Sequence, residues 1–249
     1  MKKGDLIKFQ PGKEVVLTVI TVLLMWIGYY GDTNNFKGNE LYGLIVSMGC
    51  IVLGLCVAFP AWWVVVHQKE GIQGLGITTK KMGLSLIFTA VLATWRYFEI
   101  REYIGQEGFV TTLLYNGLAI WEVMFIFGWL FTRYQKAFGK IPAIGLTAIS
   151  VGIYHIGTLS VEGILSLCLV IIICSLCYGI TNNIFTLWPV YWTIGCSAST
   201  LKSGMVFPAE MIPLSAIVLA IQIVIIGMIQ WRYIKKSRKD TVDRGVYQE

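Results

Sequence analysis

Apolar residues in this chain come in long runs rather than in the short alternations of a soluble sheet or the one-sided stripe of a soluble helix. Runs at about 14–30, 41–66, 82–99, 108–132, 141–158, 161–180 and 211–233 are separated by glycines, charges and polar clusters, and a shorter one at 184–197 contains Pro189. A bilayer-spanning helix needs roughly 20 apolar residues, because unpaired backbone N–H and C=O groups cannot be left in hydrocarbon. The pattern predicts an all-α polytopic membrane protein of about eight transmembrane helices. It forms a single transmembrane domain over 1–249, with a short segment 1–13 before the first helix and a basic tail, 234–249, after the last. The short seventh helix is expected to lie buried among the others.

Composition agrees. The chain is 56% hydrophobic and only 14% charged, with a mean hydropathy of +0.68, which is more apolar surface than one soluble core can bury, so lipid must solvate part of it. The first run follows the basic segment MKKGDLIKFQPGK as a signal peptide would, yet no A-x-A cleavage pattern follows, so it reads as a retained helix. With eight spans, sixteen Lys and Arg fall on the side of the termini, and four (Lys37, Arg96, Arg101 and Lys202) on the other. The positive-inside rule then places both termini in the cytoplasm. The tail is explained by a stop-transfer anchor beside anionic lipid, so lipid is an expected partner and nucleic acid is not.

Three minor motifs add little. The six cysteines (Cys50, Cys56, Cys168, Cys174, Cys177 and Cys196) lie in or beside apolar runs and read as small packing residues, including the C-x-x-C of Cys174 and Cys177, which has no second pair for zinc. The glycine-rich GIQGLGITTKK lacks both a preceding strand and the Walker spacing, and reads as a flexible connector rather than a phosphate loop. No internal repeat is evident.

Two polar residues stand out. Glu122 lies well inside the fourth run with no acid or base within ten residues. An ionised carboxylate there costs about 2.5 to 3.5 kcal/mol even on mild insertion scales. His155 lies towards the far end of the fifth run. If helices four and five are joined by a short turn at 134–140 and pack antiparallel, Glu122 stands 15 residues before Ala137 and His155 18 after it. Their depths then differ by about 5 Å, within side-chain reach, and Gly152 on the same face would let the helices approach closely. Such a pair can deprotonate a water, relay a proton or supply two metal ligands. No metal or other cofactor is expected, since the only other histidine, His67, lies at a helix end and catalytic zinc normally takes three protein ligands.

With these residues in place, the chain resembles the CAAX-protease and bacteriocin-processing (CPBP, or Abi) family of intramembrane glutamic proteases. That family has eight helices, a first motif E-E-x-x-x-R-G on helix four, an aromatic-x-x-x-H motif on helix five and an H-x-x-x-N-like motif on helix seven. Glu122 matches the first glutamate and Gly128 the closing glycine, while Val123 and Phe127 replace the second glutamate and the arginine. His155 matches the second motif, with Val151 in the aromatic position and a separation of 33 residues from Glu122. The GIQGLGITTKK connector and the Leu187–Pro189 turn are also similar. The third motif is absent, and YWTIGCSAST offers only Thr193 and Ser197 as oxyanion or substrate-side hydroxyls.

The resemblance implies a catalytic site of Glu122 and His155 between helices 4, 5 and 7, activating water against a peptide bond of a membrane-proximal peptide or membrane protein, in a bacterial cell membrane. Loss of the third motif implies the alternative of a non-catalytic relative that binds a membrane partner, in bacteriocin self-immunity or envelope-protein regulation. A proton-coupled carrier using the same pair is a third reading.

Overall fold

The computed structural model describes residues 6–245, with side chains described through Lys235, and every regular element among them is helical. The chain runs through α1 (Lys13–Asn35), α2 (Glu40–His67), α3 (Met82–Ile100), α4 in two halves (Phe109–Leu118 and Ile120–Phe138), α5 (Lys140–Tyr154), α6 (Val161–Thr181), α7 (Val190–Lys202) and α8 (Met211–Gly245). Local chemistry sets several of these limits. Ser160 caps α6 by accepting from the Gly163 amide, and Asn182 ends it in the left-handed conformation. Gly108 and Gly139, both at positive φ, precede α4 and α5.

The boundaries correct the expected ones in four places. The α4–α5 turn is Gly139 alone rather than 134–140; α5 stops at Tyr154; α7 begins at Val190, after Pro189; and α8 continues through the expected tail to Gly245, the last few tail residues lying outside those described. Among the described residues, four helices are long and apolar enough to cross a bilayer: α1, α2, α6 and α8 over Met211–Lys235. A fifth is α4, if its halves are taken as one span bent by 45°. With 15 and 13 residues, α5 and α7 reach only about 20 Å at 1.5 Å per residue, short of the roughly 30 Å of hydrocarbon.

The second half of α4 is the centre of the molecule, with every residue from Val123 to Phe131 buried. A helix that is apolar all round has no face for solvent and must be encased. The α5 helix lies along this half, with α1 and α6 against α5; α7 packs on α3 and on the first half of α4; α8 packs on α2 and on that same first half. Outward faces keep large apolar side chains exposed, among them Leu23 and Ile27 on α1, Leu165 and Leu169 on α6, and Ile223 and Val224 on α8. A belt of this extent is the mark of lipid contact rather than of a water-soluble surface.

Close approach to the centre is decided by Gly128. A Cβ there would stand 2.4 Å from the Leu75 carbonyl oxygen, so only glycine admits the turn Ile72–Leu75 against α4. The 71–81 segment is therefore not the flexible connector expected. Leu75 is fully buried, the Ile184 amide donates to the Gly76 carbonyl (3.0 Å), and Asn183 Nδ2 donates to the carbonyls of Thr78 and Lys80 (both 2.9 Å).

The same end of the bundle holds an ionic cluster. Arg133, just past the fourth apolar run, is buried in the last turns of α4, 3.6 Å from Glu14 of α1 and 3.4 Å from Glu70. Lys136 pairs with Glu70, and Gln68 donates to Glu14. The segment before α1 joins by backbone pairing: the amides of Lys8 and Gln10 donate to the carbonyls of Phe138 and Ala137, and the Ile141 amide donates to Leu6.

Gly128→Ala is expected to cost about 1–3 kcal/mol, the usual range for overpacking, because the atom it meets is backbone and cannot rotate away. Gly145→Ala, whose Cβ would meet nothing within 4 Å, should be neutral or slightly stabilising. Thermal unfolding of both variants in detergent checks the contrast; equal midpoints would remove the role assigned to Gly128.

Candidate functional site

Glu122 does not sit in the middle of a continuous helix. The chain leaves helical geometry at Ala119 (φ −82°, ψ 53°) and resumes at Ile120, so Glu122 falls in the first turn of the second half of α4. A helix start carries partial positive charge from its free amides, worth about 0.3–1 kcal/mol to an adjacent carboxylate and up to about 2 in partly buried settings. Part of the cost of a membrane carboxylate is offset in this way. Directly beyond it, Met124–Phe131 is wound in wider π turns, which often accompany functional positions in helices.

The break is stabilised by its neighbours. Trp188 Nε1 donates to the Gly117 carbonyl (2.9 Å), Ser215 Oγ to that of Tyr115 (3.3 Å), and the Ala119 amide to that of Asn116 (3.2 Å). In hydrocarbon such freed carbonyls persist only where protein groups satisfy them.

Around the half-buried Glu122 the lining is aromatic with polar tips. Trp192 of α7 stands next to the carboxylate, its buried indole Nε1 the side-chain donor that faces it. Tyr154 and Tyr29 lie within electrostatic reach of it, as do Tyr115, Cys56 and Cys196. The Tyr154 hydroxyl is buried without a partner. An unpartnered phenol in such a lining is unusual, since most buried polar groups are hydrogen-bonded.

His155 caps the C-terminal end of α5 rather than lying within it. Its Nδ1 is 2.9 Å from the Val151 carbonyl, which can only accept. The proton of a neutral ring therefore sits on Nδ1, and Nε2 is left as an acceptor. The ring packs on Tyr154 at 4.5 Å and on Tyr29 at 5.7 Å, and these two tyrosines touch each other at 5.7 Å. Glu122 and His155 thus share Tyr29 and Tyr154 as neighbours, with no direct hydrogen bond between them. Counted from the true turn at Gly139, Glu122 is 17 residues before and His155 16 after, a depth difference of about 1.5 Å.

Other expected residues behave differently. Gly152 admits α6 rather than α4, since its Cβ would meet Cys168 Sγ at 3.0 Å and Ile164 at 3.3 Å. Val123 and Phe127 are buried, and Phe127 packs against Tyr178 and Trp192 with ring separations of 5.6 and 6.1 Å. The Thr193 hydroxyl donates back to the Pro189 carbonyl of its own helix. Ser197 donates to the Thr112 carbonyl (3.3 Å) and accepts from Asn116 Nδ2 (3.1 Å). Both hydroxyl protons expected on the oxyanion side are already engaged.

Trp192, Tyr154 and Tyr29 escaped the sequence reading because an aromatic in an apolar run gives no sign of whether its N–H or O–H has a partner. Arg96 escaped too. Assigned by sequence to the outer side, it is buried on α3 against Gly195 of α7, bonded to Glu99 at 2.5 Å and placed over the Tyr191 ring. No family model, curated protein or solved structure matches the chain.

Trp188→Phe keeps the ring but leaves the Gly117 carbonyl without its donor, and is expected to cost about 1–3 kcal/mol. Glu122 reactivity should fall with it, because the bend positions that residue. Thermal midpoint together with carbodiimide labelling of Glu122 checks both, and unchanged values would mean the break stands without this bond.

Proposed function

We propose that the chain is a membrane-embedded peptidase of the glutamic type, crossing the bilayer eight times with both ends of the chain on the cytoplasmic side. The observation that supports it is the bend in α4, which sets the Glu122 carboxylate at a helix start facing the buried indole N–H of Trp192, with the unpartnered Tyr154 hydroxyl in the same lining. The partial CAAX-protease motifs point to the same residue. Glu122 takes a proton from a water whose oxygen attacks the peptide carbonyl. His155, with Nε2 free to accept, holds that water. Trp192 Nε1–H and Tyr154 O–H supply the hydrogen bonds to the tetrahedral oxyanion that Thr193 and Ser197 cannot. Collapse breaks the C–N bond, and the proton held by Glu122 passes to the departing amine. The substrate is a peptide segment entering at or near the membrane.

The engaged hydroxyls of Thr193 and Ser197 favour a second reading, in which the fold binds a membrane partner without cutting it. Purified wild type, Glu122→Gln and Trp192→Phe, each confirmed folded, separate the two when assayed on membrane-proximal peptides. Peptidase action predicts complete loss in Glu122→Gln and a fall of about a hundredfold in kcat for Trp192→Phe, the scale of one oxyanion donor. No cleavage by wild type, with Glu122→Gln and His155→Ala retaining full cellular function, would establish partner binding instead. Reporter fusions in the 101–108 and 203–210 loops test the orientation: both should report the outer side.

A further inference from the structure

At the end of the bundle remote from Glu122, a cleft of about 400 Å³ opens between the segment before α1, the 67–81 loop, the end of α4 and the end of α6. Four cations line it, Lys8, Arg133, Lys136 and Lys140, against one carboxylate, Glu70. Glu70 already serves both Arg133 and Lys136. Glu14, the other acid near Arg133, is shared with Gln68. Lys140 Nζ reaches only the Gly179 carbonyl, at 2.9 Å, and Lys8 makes no ion pair among the described residues. Positive charge is therefore left over in a concave space that opens to the outside.

Two buried donors in the same lining lack hydrogen bonds. Arg133 is 1% exposed, and its Nη1 stands at ion-pair distance from Glu14 with no hydrogen bond. Tyr178 is fully buried, with its hydroxyl unpartnered. A fully buried phenol O–H and a guanidinium N–H left open beside surplus ammonium groups form a donor set for an oxyanion with several oxygens. Basic pockets between helices at the positively biased end of membrane proteins hold phosphorylated headgroups by this chemistry.

We propose that this cleft binds a phosphate group, carried either by an anionic lipid headgroup or by a free phosphorylated molecule, with Arg133 and Tyr178 at its floor and Lys8, Lys136 and Lys140 around its mouth. The site lies eleven residues along α4 from Glu122, roughly 16 Å, and is independent of whether the chain cleaves peptides.

The test uses the full-length protein and follows its thermal midpoint with two probes. In detergent, inorganic phosphate is titrated against chloride at equal ionic strength; in nanodiscs, phosphatidylcholine with phosphatidic acid is compared with the same fraction of phosphatidylserine. Saturable stabilisation by inorganic phosphate assigns a free phosphorylated ligand, and stabilisation confined to phosphatidic acid assigns a headgroup. In either case Lys8→Gln/Lys136→Gln should need at least about tenfold more probe, the scale of one lost charge-assisted hydrogen bond. Tyr178→Phe, which removes one oxygen without changing shape, should weaken the response severalfold, and it carries the test alone if the double variant does not fold. The proposal is overturned if neither probe exceeds its control, or if the folded variants respond as wild type does.

Discussion

Backbone groups buried in this bundle have to be satisfied by protein, and the break of α4 at Ala119 is where that constraint bears hardest. A continuous helix would have bonded the Gly117 and Tyr115 carbonyls to its own amides. Here Trp188 and Ser215 take them from outside the helix, so the loop before α7 and the first turns of α8 are held to the break. The break turns Glu122 from a mid-helix carboxylate into the first-turn acid of a new helix. It also sends the second half of α4 through the centre of the fold, with Val123 to Phe131 covered on every side.

Encasement of α4 explains how charge is placed elsewhere. The central segment supports no ionised group, so Arg133 is held at its end, where Glu14 and Glu70 reach it from α1 and the 67–81 loop. A buried arginine paired to two carboxylates is costly to disrupt from one side, because the remaining charge would be left uncompensated. The cluster therefore fixes the register of α1, the loop and α4 at one end, much as Trp188 and Ser215 do near the other. Tyr134 reaches Ser150 of α5 at 2.8 Å, and Trp129 reaches Thr21 of α1 at 3.1 Å, pinning the helices between.

The two chemical centres differ in what surrounds them. Around Glu122 the walls are aromatic and the donors are a neutral indole and a phenol, an environment that excludes water except where a donor can hold it. Around Arg133 the walls carry ammonium groups and open to the outside. The first suits chemistry on a neutral bond; the second suits capture of an anion.

How much of this was legible beforehand depends on the range of the forces involved. Helix positions are set by local hydrophobic runs and by glycines, and each predicted segment overlaps a helix among the described residues, although only four or five of these helices are long and apolar enough to cross a bilayer. Glu122 and His155 were visible because a charged or titratable group in a long apolar run is costly wherever the fold puts it, and chain counting alone placed them at similar depth. Tertiary contacts decided the rest. Whether α4 breaks, whether Gly152 faces α4 or α6, whether Ser197 has a free proton and which indole meets Glu122 all depend on groups 12 to 100 positions apart in the chain. By itself the sequence determined that helices must form and which side chains could not be left in lipid without compensation. The packing of those helices decided what compensates them, since a hydrogen bond or an ion pair exists only when its second partner has been brought into place.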